Sequence, residues 1–288
     1  MKHTTLSRDA RSVAIGGDLP TVLIGERINP TGRKRFSEAL RNRDFAAVRA
    51  EAIAQRDAGA DLLDVNASLA GVDEVALYPE VVACVMEAVD LPLCLDSPNA
   101  DALAAGLRVY QGKALVNSVT AEEQSLARVL PLVKAHSAAV IALLQGNRGI
   151  PSDADGRVAL AGAILERCAA LSIPAEDVVV DCMAMTVGTD HNAARVTLET
   201  IRRVRQAFGV NVVLGASNIS FGMPDRELLN AAFIAQAIAA GATCLITDAA
   251  KVRATVLAAD LLQGRDEYAG RYLLGYRQRQ KQAAVVKA

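Results

Sequence analysis

The chain has 288 residues, 52% of them hydrophobic and 22% charged, with 31 basic and 32 acidic side chains and a formal net charge of −1. A chain this close to neutral has no basic field for a polyanion, which excludes DNA or RNA as the expected partner. No run of about 18 apolar residues offers a membrane span, and the length suits a single α/β barrel of ~250 residues as well as two smaller domains.

The opening stretch, MKHTTLSRDARSVAIGGD, lacks the apolar core of a secretory signal. Residues 1–20 read as a loose lead-in. From there short apolar runs alternate with helix-like stretches. The runs are TVLIGE from Thr21, DLLDVN from Asp61, LPLCLDS from Leu91, ALVNSV from Ala114, AAVIALLQ from Ala138, DVVVDC from Asp177, NVVLGAS from Asn211 and TCLITD from Thr243. Each is rich in Val, Ile or Leu without strict polar alternation, the pattern of strands buried on both faces. Between them, Leu126, Val129, Leu130 and Val133 share one helical face, as do Leu198, Ile201, Val204 and Phe208. Pro131 is a candidate kink in the first of these helices. Gly59, Gly209 and Gly241 precede strands, where a left-handed residue ends a helix. Eight such units imply parallel strands joined by right-handed crossovers. An open sheet with a nucleotide fingerprint is disfavoured, because ERINPTGRKR follows the first strand where GxGxxG would stand. The expected fold is an α/β (β/α)₈ TIM barrel, one domain over residues 21–265, followed by a polar, basic tail (266–288) that is helical or frayed.

The five cysteines, Cys84, Cys94, Cys168, Cys182 and Cys244, form no CxxC and sit in apolar runs. This favours a reducing compartment, the cytoplasm, over a disulfide framework. His3, His136 and His191 form no close pair with metal-ligand spacing, so no metal site is expected.

A (β/α)₈ barrel builds its site at the C-terminal ends of its strands. Those ends carry Glu26, Arg27 and Asn29; Asp64 and Asn66; Asp96 and Ser97; Asn117 and Ser118; Gln145 and Asn147; Asp181; Ser217 and Asn218; Thr247 and Asp248. Any one of these has a plain reading as a helix cap or Asx turn. As a set they put a carboxylate, an amide or a hydroxyl on every strand tip, and Asp64, Asp96, Asn117, Asp181 and Asn218 directly follow apolar strand residues. Groups so placed face the barrel mouth and need partners. No strand ends in Lys, which disfavours a Schiff-base aldolase, and no GxSxG elbow or cluster of His with carboxylates appears. Lys251 and Arg253 follow the last strand, but the seventh and eighth loops lack glycine-rich phosphate turns. Carboxylates with amides suit a flat heterocycle that both donates and accepts, a pterin among them.

GERINPTG, DLLDVN, LCLDS, LVNSV, VVVDC and LGASNISFG, in this order on successive strands, resemble the pterin-binding barrel family. Within it, over about 22–262, the chain is similar to the methyltetrahydrofolate:corrinoid protein methyltransferases and to the folate domain of cobalamin-dependent methionine synthase. The resemblance implies that Asp96, Asn117 and Asp181 bind the pterin ring, with Asp64 and Asn66 in the same pocket. It implies that Asn218 hydrogen-bonds the N5 region, flanked by Gly215 and Ser217, while Glu26 and Asn29 shape the rim. Phe221 stands where some relatives carry a polar residue. The implied reaction moves a methyl group between N5 of tetrahydrofolate or methyltetrahydrofolate and the cobalt of a corrinoid (cobalamin). N5 must gain a proton or a strong hydrogen bond as the C–N bond breaks. The corrinoid belongs to a separate partner protein, since no DxHxxG motif is present and His191 sits in GTDHNAAR. A homodimer is implied by resemblance only. The alternatives are a dihydropteroate synthase-type pterin enzyme, whose Ser-Arg/Lys and Arg-x-His motifs are replaced here by SNIS and TDAA, and a folate-binding module without catalysis.

Overall fold

Segments rich in β-branched residues can hide both faces only between other layers, and the eight apolar runs do so in a computed structural model that describes residues 2–287. The strands are β1 (Thr4–Arg8), β2 (Arg11–Ile15), β3 (Val22–Ile28), β4 (Leu62–Asn66), β5 (Leu93–Asp96), β6 (Gly112–Lys113), β7 (Leu115–Thr120), β8 (Ala139–Leu143), β9 (Val178–Asp181), β10 (Asn211–Gly215) and β11 (Cys244–Thr247). Eight of them close into a parallel barrel in the order β10-β11-β3-β4-β5-β7-β8-β9. Each of the eight expected runs supplies one staff.

Around the barrel lie α1 (Lys34–Arg41), α2 (Ala46–Asp57), α3 (Glu74–Ala88), α4 (Ala100–Val109), α5 (Glu123–Ala135), α6 (Ala154–Ala170), α7 (Ala193–Phe208), α8 (Arg226–Ala240), α9 (Ala249–Leu262) and α10 (Gly270–Lys287). The two expected faces are the buried ones. Leu126, Val129, Leu130 and Val133 of α5 face inward, as do Leu198, Ile201 and Val204 of α7, with Phe208 partly buried. Pro131 lies within α5, which continues through it. Gly209 and Gly241 close α7 and α8 with φ of +65° and +116°, a conformation that costs residues with a Cβ more. Among the described residues, no helix is long and apolar enough to cross a membrane.

The lead-in expected to be loose is built structure. β1 and β2 form an antiparallel hairpin, and β6 adds to β1. Leu6 and Ile15 are fully buried in the cluster that fills the barrel, with Val22, Leu62, Leu115, Val179 and Val213. Asn211 on β10 fastens the hairpin, its Nδ2 donating to Thr4 Oγ1 at 3.0 Å and to the Ile15 carbonyl at 2.9 Å. Arg8 donates to the Val89 and Met86 carbonyls. The polarity of TTLSR misled because only one face of this strand is covered: Thr4, Leu6 and Arg8 point inward and alternate with exposed or half-exposed neighbours. Burying Leu6 and Ile15 is worth ~1.5–3 kcal/mol each, and it stoppers the N-terminal end of the barrel.

Candidate functional site

Side chains on a strand alternate faces, so the interior cluster indicates which tip residues point inward. Ile24, Leu62, Cys94, Leu115, Ile141, Val179 and Val213 fill the barrel. Two positions further along the same strands stand Glu26, Asp64, Asp96, Asn117, Leu143, Asp181 and Gly215. Six of these seven are expected site residues. Where the apolar filling ends, the same inward rows continue as carboxylates and an amide. The register sets Asn66, Asp96 and Asn117 side by side on three neighbouring strands.

Asp64 is fully buried. Asn117 Nδ2 donates to its Oδ1 at 3.3 Å, and its Oδ2 has no partner among the described residues. Burial raises its carboxyl well above the ordinary range, with the charges of Asp96 and Glu26 adding to the effect. Asp96 accepts from Asn66 Nδ2 at 2.9 Å. Burial pushes it up to about 6. Glu26 is also raised, by burial and then by Asp96, and Asn29 Nδ2 donates to its Oε1 at 3.3 Å. Burial and mutual repulsion thus disfavour the charged form of all three carboxyls.

Asp181 is also buried and pushed up to about 6, chiefly by desolvation. Its Oδ1 accepts from the Met183 N–H at 2.8 Å, and the Gly215 N–H donates to the same carboxyl. The loop that supplies Met183 is held by Arg157 of α6, a buried side chain missed in the sequence. Its Nη1 donates to the Cys182 and Met183 carbonyls at 3.0 and 2.9 Å, and its Nε to the Pro151 carbonyl at 2.9 Å. Gln55 on α2 was missed as well. It donates to Asp248 and accepts from the Ala249 N–H, both at 2.9 Å. Asp248 also accepts from the Ala250 N–H as the N-cap of α9, so for this tip residue the plain reading as a cap holds. Nothing in the spacing of either helix singled out Arg157 or Gln55, because their partners are distant in sequence.

Asn218 lies in the short 3₁₀ turn Ala216–Ser220 after β10, with its side chain exposed. Among the described residues its carboxamide hydrogen-bonds nothing. Gly215 makes room for it: a Cβ there would stand 2.9 Å from Asn218 Nδ2. Ser217 gives its carbonyl to Arg226 Nη2 at 2.9 Å.

Six of the ten expected residues divide between two recesses at this end of the barrel. One, of about 410 Å³, is lined by Asp96, Asn117, Ser118 and Gln145 among others. The second, of about 430 Å³, is lined by Glu26, Asn29, Ser217, Asn218 and Phe221 among others. Asp64, Asn66, Asp181 and Gly215 line neither. Lys251 and Arg253, the candidate phosphate ligands, are engaged with Glu227 at 3.3 Å and Asp61 at 3.6 Å. Among the described residues no cluster of three metal-ligating side chains occurs, and the five cysteines are free and buried.

The chain is 29% identical over 265 residues to a methylcorrinoid:tetrahydrofolate methyltransferase of Eubacterium limosum, covering 89% of this chain and 96% of that one. It is 30% identical over 254 residues to methionine synthase of Mycobacterium tuberculosis, covering 84% of this chain but 21% of the larger protein. Among solved structures it resembles dihydropteroate synthase of Xanthomonas albilineans (TM-score 0.69, 21% identity, 92% of this chain and 99% of that one) and of Yersinia pestis (TM-score 0.66, 16% identity, 90% and 98%). At those identities the likeness is one of fold. The model of the family described as "Pterin binding enzyme" matches residues 25–248, and the chain belongs to that family.

Proposed function

We propose that this protein is a methyltransferase that moves a methyl group between N5 of tetrahydrofolate and the cobalt of a corrinoid carried by a separate protein. The observation that carries the reading is the inward row of Asp96, Asn117 and Asp181 at one end of a closed barrel, with the unengaged carboxamide of Asn218 on the same rim. A pterin suits this donor set. Its N–C(NH₂)–NH edge donates to a carboxylate and its carbonyl accepts from an amide. A recess of about 410 Å³ is also within the range of small-molecule sites. The likeness to the Eubacterium limosum enzyme, which spans nearly all of both chains, supports the same substrates. The free, buried cysteines support a reducing compartment such as the cytoplasm.

In this reading the barrel orients the folate, and the corrinoid supplies the cobalt that exchanges the methyl. Asp96, Asn117 and Asp181 fix the ring so that N5 faces the mouth. Asn218, with no partner to release among the described residues, donates to N5 as the C–N bond is made or broken. Its amide is not acidic, so the proton comes through the ligand's own network or water. An exposed Asn218 also keeps N5 within reach of a docked partner, as in-line displacement requires.

The test is spectroscopic. Methylcobalamin mixed with tetrahydrofolate and this protein is expected to turn into the Co(I) species while methyltetrahydrofolate accumulates. Asn218→Ala should slow that conversion ~10²-fold or more while tetrahydrofolate binding and the unfolding midpoint stay near wild type. Full activity in Asn218→Ala would remove its assigned role, and no conversion by a wild type that binds tetrahydrofolate would remove the reaction.

A further inference from the structure

Glu74 stands in the first turn of α3 and lines neither recess. Acidic residues are common at helix starts, where they complement the dipole. Here that task is already filled, because Asp73 is the N-cap of α3 and accepts from the Ala76 N–H at 3.2 Å. Glu74 turns instead toward the barrel tips. Its Oε1 accepts two hydroxyl hydrogen bonds, from Ser68 Oγ and Ser97 Oγ, both 2.6 Å. Bonds of that length to a carboxylate are of the strong, charge-assisted kind.

The two serines belong to adjacent tips. Ser68 lies just past β4, and its N–H donates to Asn66 Oδ1 at 2.9 Å. The other end of the Asn66 carboxamide donates to Asp96 Oδ2 at 2.9 Å. Ser97 is the residue after Asp96, and its N–H donates to the Asn117 carbonyl at 3.1 Å. The bonds and the chain between them close a ring: Glu74, Ser68, Asn66, Asp96, Ser97 and back to Glu74. A branch from Ser97 reaches the main chain of Asn117. One carboxylate oxygen therefore ties together three of the expected pterin contacts on three strands.

We propose that Glu74 is a positioning residue for folate recognition, acting through Ser68 and Ser97 to hold Asn66 and Asp96 at the height and angle at which they meet the ring. This rests on the folate reading above. Asn66 can satisfy its acceptor and its donor only in one orientation, so the clamp also decides which end of the Asn66 amide faces Asp96. Glu74 touches nothing near Asn218, so its work falls on binding and not on the methyl-transfer step.

The experiment compares Glu74→Ala with Glu74→Gln, whose amide oxygen can still accept both hydroxyls. Glu74→Ala is expected to raise the tetrahydrofolate KM about tenfold or more, with kcat within about twofold of wild type, since the ring contacts lose their orientation. Glu74→Gln should recover KM to within about threefold. Ser97→Ala, which removes one arm and leaves the carboxylate in place, should shift KM in the same direction as Glu74→Ala. It serves as the primary variant if Glu74→Ala does not fold. The second readout needs no ligand: the Asn66 carboxamide protons, observed by ¹⁵N NMR, should be protected from exchange in wild type and Glu74→Gln and unprotected in Glu74→Ala. A wild type that binds no folate would sink the folate reading, and the Asn66 signal would still report on the clamp. An Asn66 signal unchanged in Glu74→Ala, or a loss confined to kcat, overturns the proposal.

Discussion

Replacing Asp181 by Asn should make the folded chain more stable and poorer at holding folate. The Asp181 carboxyl lies near 3.8 in the unfolded chain and is pushed up to about 6 in the buried tip of β9. Between those pH values the folded state keeps a proton that the unfolded state has released. Stability therefore falls as pH rises through that window, and above pH 6 the whole cost stands. At ~1.4 kcal/mol per pH unit this cost is about 3 kcal/mol. An amide in its place keeps the oxygen that accepts from the Met183 N–H and at most forfeits the bond from Gly215, a loss of about 1 kcal/mol. The net gain at pH 8 is then about 2–3 kcal/mol, a rise in midpoint of roughly 5 °C for a chain of this size. Near pH 4.5 the gain should shrink to nothing or reverse. The measurement is urea unfolding of both proteins from pH 4.5 to 8.5 without ligand. Contributions from Asp96, raised over a similar range, cancel in the difference. Tetrahydrofolate affinity, followed by calorimetry at pH 7.5, should drop ~10–100-fold, because a charged acceptor is lost. A stability gap that stays constant across the pH range, or a variant less stable at pH 8, would refute the reasoning.

Gly215→Ala places a Cβ 2.9 Å from Asn218 Nδ2 and should swing that amide aside. The expected result is a kcat at least ~10-fold lower with little change in the folate KM, read from steady-state kinetics. Arg157→Lys cannot match the three carbonyls of Pro151, Cys182 and Met183 with a single ammonium. It should lose ~2–3 kcal/mol in urea unfolding and weaken folate binding by loosening the loop that holds Asp181. Leu6→Ala should cost ~2–4 kcal/mol with KM and kcat unchanged, since it opens a void at the end of the barrel away from the strand tips.

The staves were legible because a parallel strand covered on both faces must be apolar throughout, and DVVVDC or NVVLGAS has no other soluble use. The tip residues were legible for a related reason. Val179 followed by Asp181, or Leu115 followed by Asn117, puts a polar side chain on the inward face just where the apolar filling stops. The hairpin of β1 and β2 was not legible. Its buried side is a Thr, a Leu and an Arg whose two terminal nitrogens donate to carbonyls about 80 residues away in sequence. Arg157, Gln55 and Glu74 escaped for the same reason: each sits on an ordinary helix, and its role comes only from what folding brings opposite it. The split of the expected residues between two recesses, with Asp64 wholly buried beneath them, could not be read from a list of tips. It depends on how far each side chain extends from its strand.

With Leu6 and Ile15 filling its N-terminal end, the barrel offers the strand-tip end as its doorway. Both cosubstrates of the proposed reaction must use it, and they are very unequal in size. A corrinoid protein seated over the entrance would shut in whatever lies beneath and shut out whatever does not. The small molecule therefore has to arrive first and leave last, and excess partner protein should slow turnover by trapping the barrel empty.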